Sequence, residues 1–150
     1  MKKALVIVLV GILTGLAANQ LSPRGIPLIT PPKVEPKPDI FIPLAEARAM
    51  WEKGSAMFLD AREPADYVTG HIGGAFNLPA LSFEDHFVEV SAMLVPSQNI
   101  IAYCDGTQCD LSQSLATRLK QLGFTNTHIL FNGWTAWKQA GGPISKGDGK

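Results

Sequence analysis

Two cysteines, Cys104 and Cys109, stand in the segment Ile100-Ile101-Ala102-Tyr103-Cys104-Asp105-Gly106-Thr107-Gln108-Cys109-Asp110. A thiol at the end of an apolar run, followed by a loop and a helix start, faces free backbone N–H groups. It also faces the positive end of a helix dipole. Both stabilise an anion, so the Cys104 thiol is expected to ionise near neutral pH and to act as a nucleophile. Gly106 lets the loop curl and aim its amides inward, which makes a nest for a negatively charged group. The amides of Asp105, Gly106, Thr107, Gln108, Cys109 and Asp110 are then the candidate substrate-binding groups. The carboxylates of Asp105 and Asp110 oppose this by adding negative charge. On residue type and spacing alone, a reactive cysteine and an inert buried one are equally matched.

Cys109 has three readings: a second active thiol, a disulfide partner for Cys104, or packing at the helix start. A bond across so short a loop would be a redox device more than a staple. His71, His86 and His128 are too scattered for a metal site, and no metal or organic cofactor is implied. His86 and His128 read as ordinary helix and strand positions.

The elements that must place Cys104 can be read from hydrophobic pattern. A helical pattern starts near Pro43, with Leu44, Ala47, Met50 and Trp51 on one side and Gly54 as its stop. Ala56 to Leu59 reads as a buried strand ending at Asp60. Pro64 opens a short helix that Gly70 closes, and Phe76 to Leu78 is a brief strand. Ser82 with Asp85 resembles a capping box ahead of a helix with Phe83, Phe87, Val90 and Leu94 on one face. Ile100 to Tyr103 is a second buried strand. A helix from about Asp110 to Leu122 comes next, with Leu111, Leu115, Leu119 and Leu122 inward and Gly123 as its cap. His128 to Phe131 is a third strand, and Asn132-Gly133 leads into a short helix carrying Trp134 and Trp137.

Short apolar strands alternating with amphipathic helices indicate an α/β fold, a mainly parallel sheet flanked by helices on both faces. Ligands in such sheets bind beyond the carboxyl ends of the strands. That rule nominates Ala61-Arg62, Cys104 onward, and Asn132-Gly133-Trp134. Arg62 is either an anion-steering charge or the partner of Asp60, with the structural role favoured. Trp134 is placed to wall the pocket, whereas Trp137 reads as core.

The chain has 150 residues, with 13 Lys+Arg against 13 Asp+Glu. Zero net charge supplies no general field for nucleic acid or an anionic membrane. The length suits one folded domain. No charge falls between Lys3 and Arg24, and residues 4–18 form an apolar run of about 22 Å as a helix. Residues 1–21 therefore read as a membrane anchor or a signal peptide, the anchor being favoured because a clean A-x-A site is lacking. In both readings Lys2 and Lys3 put the rest of the chain outside the cytoplasm, as a periplasmic domain that is membrane-bound or secreted. Residues 22–39 carry Pro at 23, 27, 31, 32, 36 and 38, which favours an extended linker. The domain spans 40–145, and 146–150 read as a flexible tail.

The domain resembles the rhodanese-like family. Asp60-Ala61-Arg62 and Gly70-His71-Ile72-Gly73-Gly74-Ala75 look like its Asp-x-Arg and Gly-His-Ile-x-Gly-Ala motifs. Residues 132–141 resemble its closing Gly-Gly-x-x-x-Trp-x-x-x-Gly segment, with Asn132 in place of the first Gly. The resemblance implies a rhodanese-like α/β domain and a sulfurtransferase that carries sulfur as a persulfide on Cys104. Its partners would be a small sulfane-sulfur donor and a thiol or cyanide acceptor. His71 lies in a family motif, with a structural hydrogen bond as its favoured task. The loop after Cys104 looks about two residues longer than the family's, lacks Arg and contains Cys109. The related phosphatases need Arg six positions after their Cys, where this chain has Asp110, so phosphatase chemistry is not expected. The competing reading is a non-catalytic sulfur-binding or thiol-redox sensing module that uses Cys104 and Cys109.

Overall fold

The computed structural model describes residues 3, 6, 7, 10, 11, 14, 40–106 and 110–148. The chain divides into two compact units, Met1–Glu35 and Pro36–Lys150. In the first, the described residues are helical, and Thr14 Oγ1 donates to the carbonyls of Val10 and Gly11. Among the described residues no helix is long and apolar enough to cross a membrane. Most of the expected leader and linker lies outside the described residues.

The second unit is built on a five-stranded parallel sheet. In chain order its elements are β1 (Phe41–Ile42), α1 (Leu44–Glu52), β2 (Ala56–Asp60), α2 (Pro64–Thr69), β3 (His71–Ile72) and β4 (Phe76–Asn77). They continue with α3 (Phe83–Ser91), β5 (Asn99–Tyr103), α4 (Asp110–Gln121), β6 (Thr127–Leu130), α5 (Gly133–Gln139) and β7 (Ile144–Ser145). The strand order is β1-β6-β5-β2-β4, with β3 and β7 paired separately and antiparallel. This is the α/β arrangement expected from the hydrophobic pattern, a parallel sheet with helices packed on it.

Strand β5 sits at the centre, and the two-residue period of a strand sends alternate side chains to opposite faces. Ile100, Ala102 and Cys104 pack on one side with Leu115, Ala116 and Leu119 of α4 and Phe83 and Val90 of α3. Ile101 and Tyr103 pack on the other with Ala47 of α1 and Trp134 and Trp137 of α5. The register of β5 therefore aims Cys104 at the first turn of α4 and Tyr103 at the opposite layer. Trp137 is fully buried, its ring meeting Phe58 and Trp51, and its Nε1 donates to the Pro143 carbonyl.

Two local expectations are corrected. Ser82 precedes α3 but makes no side-chain cap: its φ of −118° and ψ of 40° leave the extended geometry a capping hydroxyl needs. Leu122 is 52% exposed, because α4 ends at Gln121 and the chain turns away through Gly123 at a φ of 97°. Phe124 takes the inward place against the core instead. Beyond β7, Gly147 N donates to the Val68 carbonyl.

Candidate active site

Three strand ends meet around Cys104. Strands β2 and β5 run in register, with Asp60 opposite Tyr103, so both chains leave the sheet at the same level. Ala61 N donates to the Tyr103 carbonyl, and Ala80 N to the Ala61 carbonyl. From β6 the chain passes Asn132, in the left-handed region at a φ of 49°, and enters α5. Asn tolerates that conformation better than most residues, which accounts for its standing where a Gly is expected. Gly133 lets α5 approach closely, since a Cβ there would lie 2.6 Å from Tyr103 Cβ. Trp134 N then donates to the Cys104 carbonyl at 3.0 Å, which fixes the backbone of the candidate nucleophile from the α5 side.

The Cys104 side chain is 1% exposed. Its Sγ lies 3.2 Å from the hydroxyl of Ser112, itself buried in the first turn of α4. A hydroxyl donating to sulfur favours the thiolate, both as a nucleophile and as a leaving group. Ser112 was not among the residues nominated from sequence. A small polar residue within the first turn of the helix after Cys104 is the signal that could have found it. Cys104 is disulfide-bonded in this structure. Thr107, Gln108 and Cys109 lie outside the described residues. Asp105 and Gly106 are exposed, and Asp110 opens α4.

Arg62 and Asp60 form a buried pair. The guanidinium donates to Asp60 through Nε at 2.9 and 3.2 Å and through Nη2 at 2.5 Å, and Nη2 also donates to the Gly70 carbonyl. Burial opposes the charge on Arg62, but hydrogen bonding and attraction from Asp60 outweigh it, so its pKa is raised. Burial, with Asp60 adding to it, pushes the Tyr103 hydroxyl well above the ordinary range. That hydroxyl stays neutral and accepts from Ile72 N at 3.1 Å. His71 is buried, stacks on Tyr67 and makes a 2.9 Å hydrogen bond between Nδ1 and the Tyr67 carbonyl. Trp134 is 7% exposed, with Arg62 Cζ 4.9 Å and Lys138 Nζ 4.6 Å from its ring centre.

The structure thus brings Arg62, Trp134 and Cys104 to one end of the sheet, while His71 is held among backbone groups. A separate cavity of about 380 Å³ is lined by Tyr67, Phe76, Asn77, His86, Glu89 and Asp148 among others, and no described residue of the Cys104 loop borders it. Among the described residues no cluster of His, Cys, Asp or Glu could hold a metal ion.

Residues 43–140 match the rhodanese-like domain. The chain belongs to the rhodanese-like family. It is 31% identical over 97 residues to the thiosulfate sulfurtransferase GlpE of Pseudomonas fluorescens, covering 65% of this chain and 83% of that protein. It is 30% identical over 110 residues to the HTH-type transcriptional regulator Rv0324 of Mycobacterium tuberculosis, covering 73% of this chain and 46% of the regulator. The chain therefore spans just under half of that relative. Among solved structures, the BH2092 protein of Bacillus halodurans shares the fold with a TM-score of 0.63 and 24% identity, covering 73% of this chain and 78% of that one. Relatedness to sulfurtransferases supports a sulfurtransferase-type enzyme at the level of the family.

Proposed function

We propose that this protein is a sulfurtransferase that moves sulfane sulfur through a persulfide on Cys104. The observation that carries this reading is the place of Cys104: at the end of the central strand, against Ser112 in the first turn of α4. The reduced thiolate attacks the sulfane sulfur of the donor. The donor's S–S bond breaks, its leaving group keeps the electron pair, and Cys104–S–S⁻ remains. A thiolate or cyanide acceptor then attacks the outer sulfur and expels Cys104 as a thiolate, which the Ser112 hydroxyl and the dipole of α4 favour. Loop amides would hold the outer sulfur anion.

Mass spectrometry of the reduced full chain after exposure to polysulfide tests this. One added sulfur on Cys104, removed by cyanide, is expected; an unchanged mass would refute it. The second reading, a thiol-redox module, draws on the disulfide at Cys104. Its mark would be reversible oxidation with no sulfur passed to an acceptor. We further propose that residues 4–21 anchor the chain in a membrane with the domain on the extracytoplasmic side, on the strength of Lys2, Lys3 and the uncharged run after them. A reporter fused after Lys150 that is active only in the cytoplasm would overturn that orientation.

A further inference from the structure

The cavity of about 380 Å³ takes its lining from three elements and the end of the chain. Tyr67 comes from α2, Asn77 and Phe76 from β4, and His86 and Glu89 from α3, while Asp148 lies beyond β7. Gly147 N donates to the Val68 carbonyl at 2.9 Å, which ties the chain next to Asp148 against α2. The volume falls within the range of about 300–1,000 Å³ usual for small-molecule pockets.

The donors in this lining are already engaged within the protein. The Tyr67 hydroxyl donates to the Ala75 carbonyl at 2.6 Å. Burial raises its pKa, with Asp60 and Asp148 adding to the effect, so that proton is kept. Asn77 uses Nδ2 on the carbonyls of Asp60 and Arg62, at 3.1 and 2.9 Å, which leaves Oδ1 as its remaining polar atom. Glu89 and Asp148 are exposed carboxylates and form no ion pair among the described residues. Glu89 also stands in the last turn of α3, where helix carbonyls add negative potential and no basic side chain offsets it. Among the described residues no Lys or Arg lines the cavity, and His86 is the one lining group able to carry positive charge.

We propose that this cavity binds a small organic ammonium ion, with its N–H groups toward Glu89, Asp148 and Asn77 Oδ1 and its apolar body against Phe76 and Val90. The lining offers acceptors and negative charge, so a cationic donor is complementary to it and an anion is opposed. A metal ion fits less well, since among the described residues no group of three His, Cys, Asp or Glu could hold one. The proposal is independent of the persulfide reading, because no described residue of the Cys104 loop borders the cavity.

The test titrates the isotope-labelled full chain with phenethylamine, phenethyl alcohol and phenylacetate, followed by NMR. These share one ring and a short tail and differ in charge: positive, none and negative. Amide shifts centred on Asn77 and Glu89 are expected, with the amine bound most tightly and phenylacetate least. Glu89→Gln and Asp148→Asn should each weaken the amine about two- to fivefold, as removal of one exposed ion pair does, and leave the alcohol unchanged. Both side chains are exposed, so the fold should persist in either variant. Glu46→Gln removes an equal charge from α1, which packs on the other layer, and should leave the amine as tight as in the parent. Equal affinity for amine and alcohol would overturn the proposal, as would tighter binding of phenylacetate or no shift at millimolar amine. A loss on Glu46→Gln as large as on Glu89→Gln would also overturn it, since the attraction would then belong to the whole surface.

Discussion

Strands β2 and β5 leave the sheet side by side, yet their continuations differ in kind. After β2 the chain stays inside: Asp60 is fully buried, Arg62 is 6% exposed, and the pair is bonded to itself and to the Gly70 carbonyl. After β5 only the Cys104 side chain stays inside, and Asp105 and Gly106 turn out into solvent. The first exit is over-determined, with Asn77 Nδ2 also donating to the carbonyls of Asp60 and Arg62. The second is tied across to the helices instead, by Trp134 N, by Thr135 Oγ1 and at Ser112. Neighbouring strand ends thus differ: one closes on itself as a frame, and the other turns Asp105 and Gly106 out to solvent beside the buried Cys104.

The largest effect should come from breaking the frame. Asp60→Ala leaves a buried guanidinium without its carboxylate, which typically costs about 3–5 kcal/mol. Denaturant titration should show a midpoint falling accordingly, or a chain that no longer folds. A loss below about 1 kcal/mol would mean that water reaches Arg62 and that the two exits are less different than their burial implies.

Cys104→Ser should do the reverse. Sulfur loading is expected to vanish, while stability stays within about 1 kcal/mol of the reduced parent, since the swap is small. Peptide mass mapping and denaturant titration read the two effects separately. Loading that persists would move the nucleophile away from β5.

The same physics decides how far this division was legible in sequence. Strands β2, β5 and β6 are apolar runs long enough to recognise, so the sheet and the strand-end position of Cys104 could be read directly. β1, β3 and β7 are two residues each, too short to show any period, and their pairing is set by distant partners such as Ile129 for Phe41 and Ser145 for His71. The Asp60–Arg62 pairing was open to inference because the residues are two apart on one strand exit. The Leu122 face failed because helical spacing was carried one residue beyond the end of α4. Ser112 was missed although the start of the helix at Asp110 was read from sequence, because a contact between Cys104 Sγ and a small polar side chain depends on how strand and helix pack, which spacing alone does not give.

Ser112 also gives the finest test of the difference between the two exits. If its hydroxyl donates to Cys104 Sγ from 3.2 Å, it favours the reduced thiolate over the thiol. Removing it in Ser112→Ala leaves the thiolate less favoured, so the pH at which loading reaches half its plateau should move upward by about one unit. The sign fixes the shape of the result. Well below that pH the variant should load about tenfold more slowly, because its thiolate fraction is smaller. Above the raised midpoint both proteins are fully ionised and their rates should converge. Ser112→Thr keeps a hydroxyl and should restore much of the parent profile. A purely structural role would lower the rate at every pH without moving the midpoint, so a parallel drop across the whole range would remove Ser112 from the chemistry and leave it as packing between β5 and α4.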